Sequence, residues 1–238
     1  MPDFDACNTC LKRGGAHRDM HRSYADTWPD IVAWRDKWHD VLKNACALIA
    51  PSQAAADIYN RVFVDLPVEV RPHLGPAKPS IGHETVEAPK TIKVALLGGL
   101  GAHKGYNEVI ALLRWAEKAR ARYPLCPDRL FRSYRPDPLP SPNLEDLGPY
   151  TADTLAGKIK QACAQVALFL SPWPETYVYT LTEALSHGLT PVAYDLGAPG
   201  ERLEALGVGE LVAPDASHAR LIKAIRKAAA TRITPGYL

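Results

Sequence analysis

From Val166 to Ala230 the chain alternates short apolar runs with helical periods, and this alternation restricts the fold more than any other feature. Val166–Leu170, Pro191–Tyr194 and the stretch 210–212 read as strands; helices are predicted near 179–187, 200–206 and 217–230. Strands alternating with helices of this length imply a parallel α/β sheet with right-handed crossovers. In an open sheet of that kind, small ligands bind in the crevice outside the carboxyl ends of the strands. The stretch Ser171 to Gly188 places Glu175 in a loop just after the first of these strands and Glu183 inside the following helix. Two carboxylates are thereby held near one crevice, where they can accept hydrogen bonds from sugar or ribose hydroxyls.

The same theme appears upstream. Ile92–Leu97 reads as a strand, Gly98-Gly99-Leu100-Gly101-Ala102-His103-Lys104-Gly105 as a loop, and a helix from about Asn107 carries Val109, Ile110, Leu113 and Ala116 on one face. Backbone N–H groups at such a strand-to-helix loop favour an anion, and Lys104 adds a point charge suited to a diphosphate. The spacing matches neither the Rossmann Gly-x-Gly-x-x-Gly nor the Walker loop. By pattern alone an anion site and a tight turn with a solvated lysine therefore stand level. Leu130–Tyr134 is a strand candidate, and Pro136, Pro138, Pro140 and Pro142 impose an extended loop after it. Leu144–Leu147 is a weak strand, Gly148-Pro149-Tyr150 a turn, and Thr151 caps a helix to about Cys163 with Leu155, Ile159 and Ala162 at helical spacing.

The first 73 residues carry weaker signals. Cys7, Cys10, His17 and His21 form either a zinc clip or a polar loop with incidental thiols and imidazoles, the Cys-to-His gap being shorter than in the usual finger. A helix is predicted from Thr27, with Pro29 in its first turn and Ile31, Trp34, Trp38, Val41 and Leu42 on a core-facing stripe. Ala47–Ala50 reads as a strand, Pro51-Ser52 caps a helix through about Phe63, and Val68–Arg71 alternates like a strand. Residues 74–90 hold three prolines and two glycines without an apolar period, and read as a linker.

A chain of 238 residues suits one large domain or one and a half ordinary ones. Its 47% hydrophobic content suffices for a core, and a net charge of +2 with dispersed Lys and Arg argues against a nucleic-acid partner. Neither a transmembrane run nor a signal peptide is read from the sequence, so the expected compartment is the cytosol. Five cysteines, an odd number, argue against a disulfide framework.

Glu175 and Glu183, with seven residues between them, followed by Ala184-Leu185 and Gly188, resemble the Glu-x7-Glu signature of group 1 (GT-B type) retaining glycosyltransferases. The resemblance continues through Gly197-Ala198-Pro199-Gly200-Glu201-Arg202 to Gly209–Pro214, and upstream to the Gly98–Gly105 loop ending in Lys-Gly. It covers roughly residues 92–230 and implies a Rossmann-like donor-binding domain at 91–232, a linker at 74–90, and at 1–73 the end of an otherwise missing acceptor-side half-domain.

The implied activity is transfer of a sugar from a nucleotide-diphosphate donor to a glycan or lipid-linked acceptor with retention, as in polysaccharide biosynthesis. Lys104 matches the lysine that holds the donor diphosphate and Glu175 the carboxylate facing the donor sugar, and these two are the implied catalytic pair. Glu183 matches the glutamate on the ribose hydroxyls. Gly98, Gly99 and Gly101 belong to the phosphate loop; Thr176, Tyr177, Val178, Tyr179 and Thr180 bring the start of a helix to the distal phosphate; Tyr150 falls in the turn under the base. The resemblance implies no metal and no cofactor. Two departures bear on the site: Gly99 stands where the family usually has an assisting arginine, leaving Arg132 or His103 to reach in, and Tyr177-Val178 stands where Phe-Gly is common. Because the acceptor half is not within 1–238, a fragment, a shortened form or a partner-dependent enzyme is expected, with peripheral membrane association and self-association as further expectations. The alternative reading is a non-catalytic nucleotide-sugar-binding or scaffolding module.

Overall fold

A computed structural model describes residues 5, 8–9, 30–73, 81–119 and 147–234. The chain divides into two compact units, Met1–His73 and Leu74–Leu238.

In the first unit, helix α1 spans Ile31–Leu42. Asp30 is its N-cap: an extended residue whose Oδ1 accepts the Ala33 N–H at 2.9 Å, while the Ile31 N–H donates to Asn8 Oδ1 at 2.8 Å. The helix therefore starts later than expected from Thr27. Its apolar stripe is also not core, because no residue of α1 is buried. Strand β1 (Ile49–Ala50) leads to α2 (Gln53–Val62), where the Ser52 hydroxyl accepts the Ala55 N–H, and β2 (Glu69–Val70) pairs with β1 in parallel. These three follow the sequence reading.

The second unit is built on a parallel sheet of β4 (Val94–Ala95), β5 (Val166–Phe169), β6 (Thr190–Tyr194) and β7 (Glu210–Val212), in that spatial order among the described residues. Helices α3 (Tyr106–Lys118), α4 (Ala152–Ala162), α5 (Tyr179–Ser186), α6 (Gly197–Leu206) and α7 (His218–Ala229) alternate with the strands. The alternation produces two different faces. On one, Val94, Val166, Leu168, Val192, Tyr194 and Val212 pack with α3 and α7 residues such as Val109, Leu113, Leu221 and Ile225. On the other, the small residues Ala95 and Ala167 meet Leu155 and Ile159 of α4, and Ala193 meets Leu181, Leu185 and Leu203 of α5 and α6. Each fully buried Leu or Val side chain contributes roughly 1.5–3 kcal/mol. The capping predicted at Thr151 is present, with the Thr151 N–H donating to Thr154 Oγ1 at 2.8 Å.

Two strands depart from the sequence reading. Within the stretch expected to be linker, Gly82–Thr85 forms β3, and Thr231–Thr234 forms β8 beyond the last predicted helix. They pair antiparallel, with Gly82 opposite Thr234 and Thr85 opposite Thr231. All four residues of β3 are exposed, so no apolar alternation announces it. The predicted strand at Ile92–Leu97 contracts to Val94–Ala95, although Ile92 and Leu96 remain buried. The strand candidate 130–134, the proline segment, most of 144–147 and the four ligands of the zinc clip lie outside the described residues.

Candidate functional site

At the carboxyl ends of β4 and β5 a cleft enclosing about 550 Å³, its open mouth included, is lined by Leu96–Leu100 and Lys104 on one side and by Phe169, Ser171, Glu175, Val178, Thr180 and Pro199 on the other. Of the site residues predicted from sequence, the cleft brings together Gly98, Gly99, Lys104, Glu175, Val178 and Thr180. Gly101, Tyr150, Thr176, Tyr177, Tyr179 and Glu183 lie outside this lining.

Lys104 and Glu175 meet directly: Nζ is 2.6 Å from Oε1. The lysine side chain is 40% exposed and the carboxylate 14%, so the cation reaches the acid from the solvent side. Local chain geometry sets both. Lys104 ends a single 3₁₀ turn, Ala102–Lys104, closed by Gly105 in the left-handed region. Ser171 Oγ donates to the His103 carbonyl at 2.6 Å and accepts the Trp173 N–H at 3.2 Å, tying that turn to the loop carrying Glu175. The Glu175 loop is held on its other side by α6, because the Ala198 N–H donates to the Glu175 carbonyl at 2.9 Å. Only glycine fits at Gly197, with φ 66° and an added Cβ falling 2.8 Å from the Pro174 Cα. Ser171 and Gly197 were not singled out from sequence. Gly197 enters the sequence reading only as the first residue of the Gly197–Arg202 motif, and nothing in the sequence signals its contact with Glu175.

Glu183 is held by a tyrosine. Tyr150 Oη donates to Glu183 Oε2 at 2.7 Å, joining the turn before α4 to the middle of α5. Burial, then the neighbouring carboxylate, push the Tyr150 phenol well above its ordinary value, with the Gly98 amide acting the other way. The phenol thus stays a neutral donor, and Tyr150, Glu183 and the glycine loop form one polar group beside the cleft. Gly98 has φ 85°, and a Cβ there would lie 3.1 Å from the Thr180 Cγ2, so the glycine lets the loop approach α5.

Helix α5 starts without a side-chain cap behind Val178, whose φ of 67° and ψ of 84° put a β-branched residue in the left-handed region. Such a conformation costs on the order of 1–3 kcal/mol and persists only when its surroundings over-determine it. Here the surroundings are Arg202, unsuspected from sequence as a site residue. Its Nη1 donates to the Tyr177 and Val178 carbonyls, both at 2.9 Å, and Nη2 to Thr182 Oγ1 at 2.7 Å. The guanidinium carbon sits 4.2 Å above the Tyr177 ring centroid, a cation–π arrangement. Burial draws the Arg202 pKa below its ordinary value, the direction expected for a cation removed from water.

His103, one of the two residues expected to compensate for Gly99, is exposed beside Lys104; Arg132 lies outside the described residues. Among the described residues no group of three or more His, Cys, Asp or Glu side chains could hold a metal ion, and no helix is long and apolar enough to cross a membrane.

No family model and no curated protein matches this chain. Solved structures do. It is similar to sucrose-phosphate synthase from Thermosynechococcus elongatus at 15% identity and a TM-score of 0.58, over 94% of this chain and 59% of that one. It is similar to Anabaena Alr3699/HepE, solved in complex with UDP and glucose, at 16% identity and a TM-score of 0.57, over 94% and 70%. A third is WaaG, a glycosyltransferase involved in lipopolysaccharide biosynthesis, at 16% identity and a TM-score of 0.54, over 76% and 53%. The chain spans little more than half the length of the first and third of these. At such identities the similarity is one of fold, and the fold is the GT-B type, Rossmann-like α/β architecture expected from the sequence.

Proposed function

We propose that this chain is the donor-binding part of a retaining glycosyltransferase, with residues 91–232 forming the nucleotide-sugar domain and 1–73 the end of an acceptor-side domain. The observation that carries the reading is the cleft at the strand carboxyl ends, where Lys104 and Glu175 meet at 2.6 Å between the glycine loop and the start of α5. Solved neighbours that bind UDP, among them HepE, support the donor class.

In this reading the diphosphate lies along Gly98–Lys104, drawing Lys104 from Glu175, and the first N–H groups of α5 meet the distal phosphate. The ribose hydroxyls donate to Glu183, whose other hydrogen bond to Tyr150 fixes its orientation. The bond between the anomeric carbon and the phosphate oxygen breaks. The acceptor hydroxyl oxygen bonds to that carbon on the same face, and its proton passes to the departing phosphate. Lys104 and the helix terminus stabilise the charge that develops on the leaving group, by donors fixed in advance. A diphosphate offers Lys104 two negative charges in place of the single Glu175 carboxylate, so the ligand can displace the ion pair. The acceptor is a glycan or a lipid-linked sugar, and peripheral membrane association and self-association belong to the same proposal.

Calorimetric titration of UDP, GDP and ADP into this chain and into Glu183→Ala tests it. Saturable binding of one nucleotide, lost in the variant, is expected. Absence of binding at millimolar ligand overturns the donor-site reading and leaves the scaffolding alternative, which Gly99 at the usual arginine position favours.

A further inference from the structure

We infer that Arg202 is a positioning residue for the diphosphate-binding turn: its guanidinium holds the strained backbone at Val178 in the conformation that presents the start of α5 to the cleft. This inference rests on the donor-site reading above.

Among the described residues only Cys163 and Val178 are non-glycine residues at positive φ. Cys163 closes a helix, a place where left-handed residues are ordinary. Val178 opens one, and its branched Cβ opposes the conformation. Nothing at the start of α5 supplies a side-chain cap. What meets the strained residue is Arg202, which takes the carbonyl on each side of the Val178 Cα and, through Thr182, the first turn of the helix. One planar group with a fixed fork of donors thus joins three acceptors that a lysine could not span together.

The direction of those bonds matters. In a trans peptide the N–H points opposite to the C=O. With the Tyr177 and Val178 carbonyls turned to Arg202, the N–H groups of Val178 and Tyr179 face away from it. Val178 and Thr180 line the cleft, so the arginine sets the orientation of the backbone donors at the cleft wall. Its positive charge, behind the turn, adds to the potential felt by an anion there.

The test combines affinity with stability. UDP, GDP and ADP are titrated into wild type, Arg202→Ala, Arg202→Lys, Val178→Gly and Val178→Gly/Arg202→Ala, and Tm is measured for each. Both arginine variants are expected to weaken binding of the nucleotide that wild type binds by about tenfold or more, the lysine included because it keeps the charge and loses the fork. Glycine adopts the turn without strain, so Val178→Gly/Arg202→Ala is expected within about threefold of Val178→Gly. Unchanged affinity in both arginine variants, or a defect that Val178→Gly leaves intact, overturns the inference while the donor site stands. If wild type binds none of the three nucleotides, the donor-site reading fails by itself and the clamp is judged on Tm. A loss of roughly 3–6 °C for Arg202→Ala that shrinks by half or more in the Val178→Gly background supports it, and an equal loss in both backgrounds overturns it.

Discussion

Helices α1 and α7 are both 12 residues long and both carry apolar residues at helical spacing, yet α1 buries none of its side chains and α7 buries five. The difference lies in what each has to cover. Helix α7 lies against the second unit's sheet, where Leu221, Ile222 and Ile225 meet Val192 and Val212. Among the described residues of the first unit the only sheet is the two-stranded pair β1–β2, and Trp38, Val41, Ile49 and Val64 are exposed, Val64 to 83%. An apolar period makes a helix amphipathic; it becomes core only where a large enough complementary surface exists.

The sharpest expectation from this contrast is in the α5 layer. Leu185→Ala removes a side chain that is 2% exposed and should destabilise the second unit by about 2–5 kcal/mol in urea unfolding. Next comes the cleft, where packing is less at stake. Lys104→Ala should weaken nucleotide-diphosphate affinity by roughly 10- to 100-fold, the equivalent of one charge-assisted contact, with Tm nearly unchanged. A large fall in Tm instead would show that the ion pair with Glu175 is structural.

Tyr150→Phe is smaller, about 1–2 kcal/mol, and carries a pH signature. The folded Tyr150 pKa is raised, so its contribution to stability is full below the unfolded value of 10.0 and is lost as pH rises beyond it. Tyr59 and Tyr194 are raised too, so the base-induced loss of stability should become shallower in Tyr150→Phe without vanishing. An unchanged slope would remove Tyr150 from the account. The smallest effect closes the comparison. Val64→Ala should shift stability by no more than about 0.5 kcal/mol, and a loss of several kcal/mol would show that Val64 is packed in a core of the first unit and not exposed.

Much of the second unit was legible because its signals are local. Strand 166–169, the Thr151 cap and the α3 and α7 stripes depend on residues within four positions of one another, and the structure has them. The same locality placed Glu175 in the loop after β5, where it lines the cleft, and Glu183 within α5, outside that lining. It misled at α1, where the stripe has helical spacing but none of its residues is buried. At residues 82–85, exposure on both faces erased the alternation that marks a strand.

The sequence by itself determined the α/β alternation, the side of the sheet on which the cleft opens, and the residue types at or beside it: Lys104, Glu175 and the glycine loop in its lining, with Glu183 next to it. Only the tertiary structure decided their partners. It joined β3 to β8 across nearly the whole second unit, and turned Lys104 onto Glu175 and Tyr150 onto Glu183. It also placed Arg202 behind a valine in the left-handed region, where local propensity would have put glycine. The physical reason is range. Helix and strand propensities are settled by neighbours in sequence, whereas a hydrogen bond or ion pair between distant residues exists only once packing has brought its two ends within about 3 Å and excluded the water that would otherwise compete.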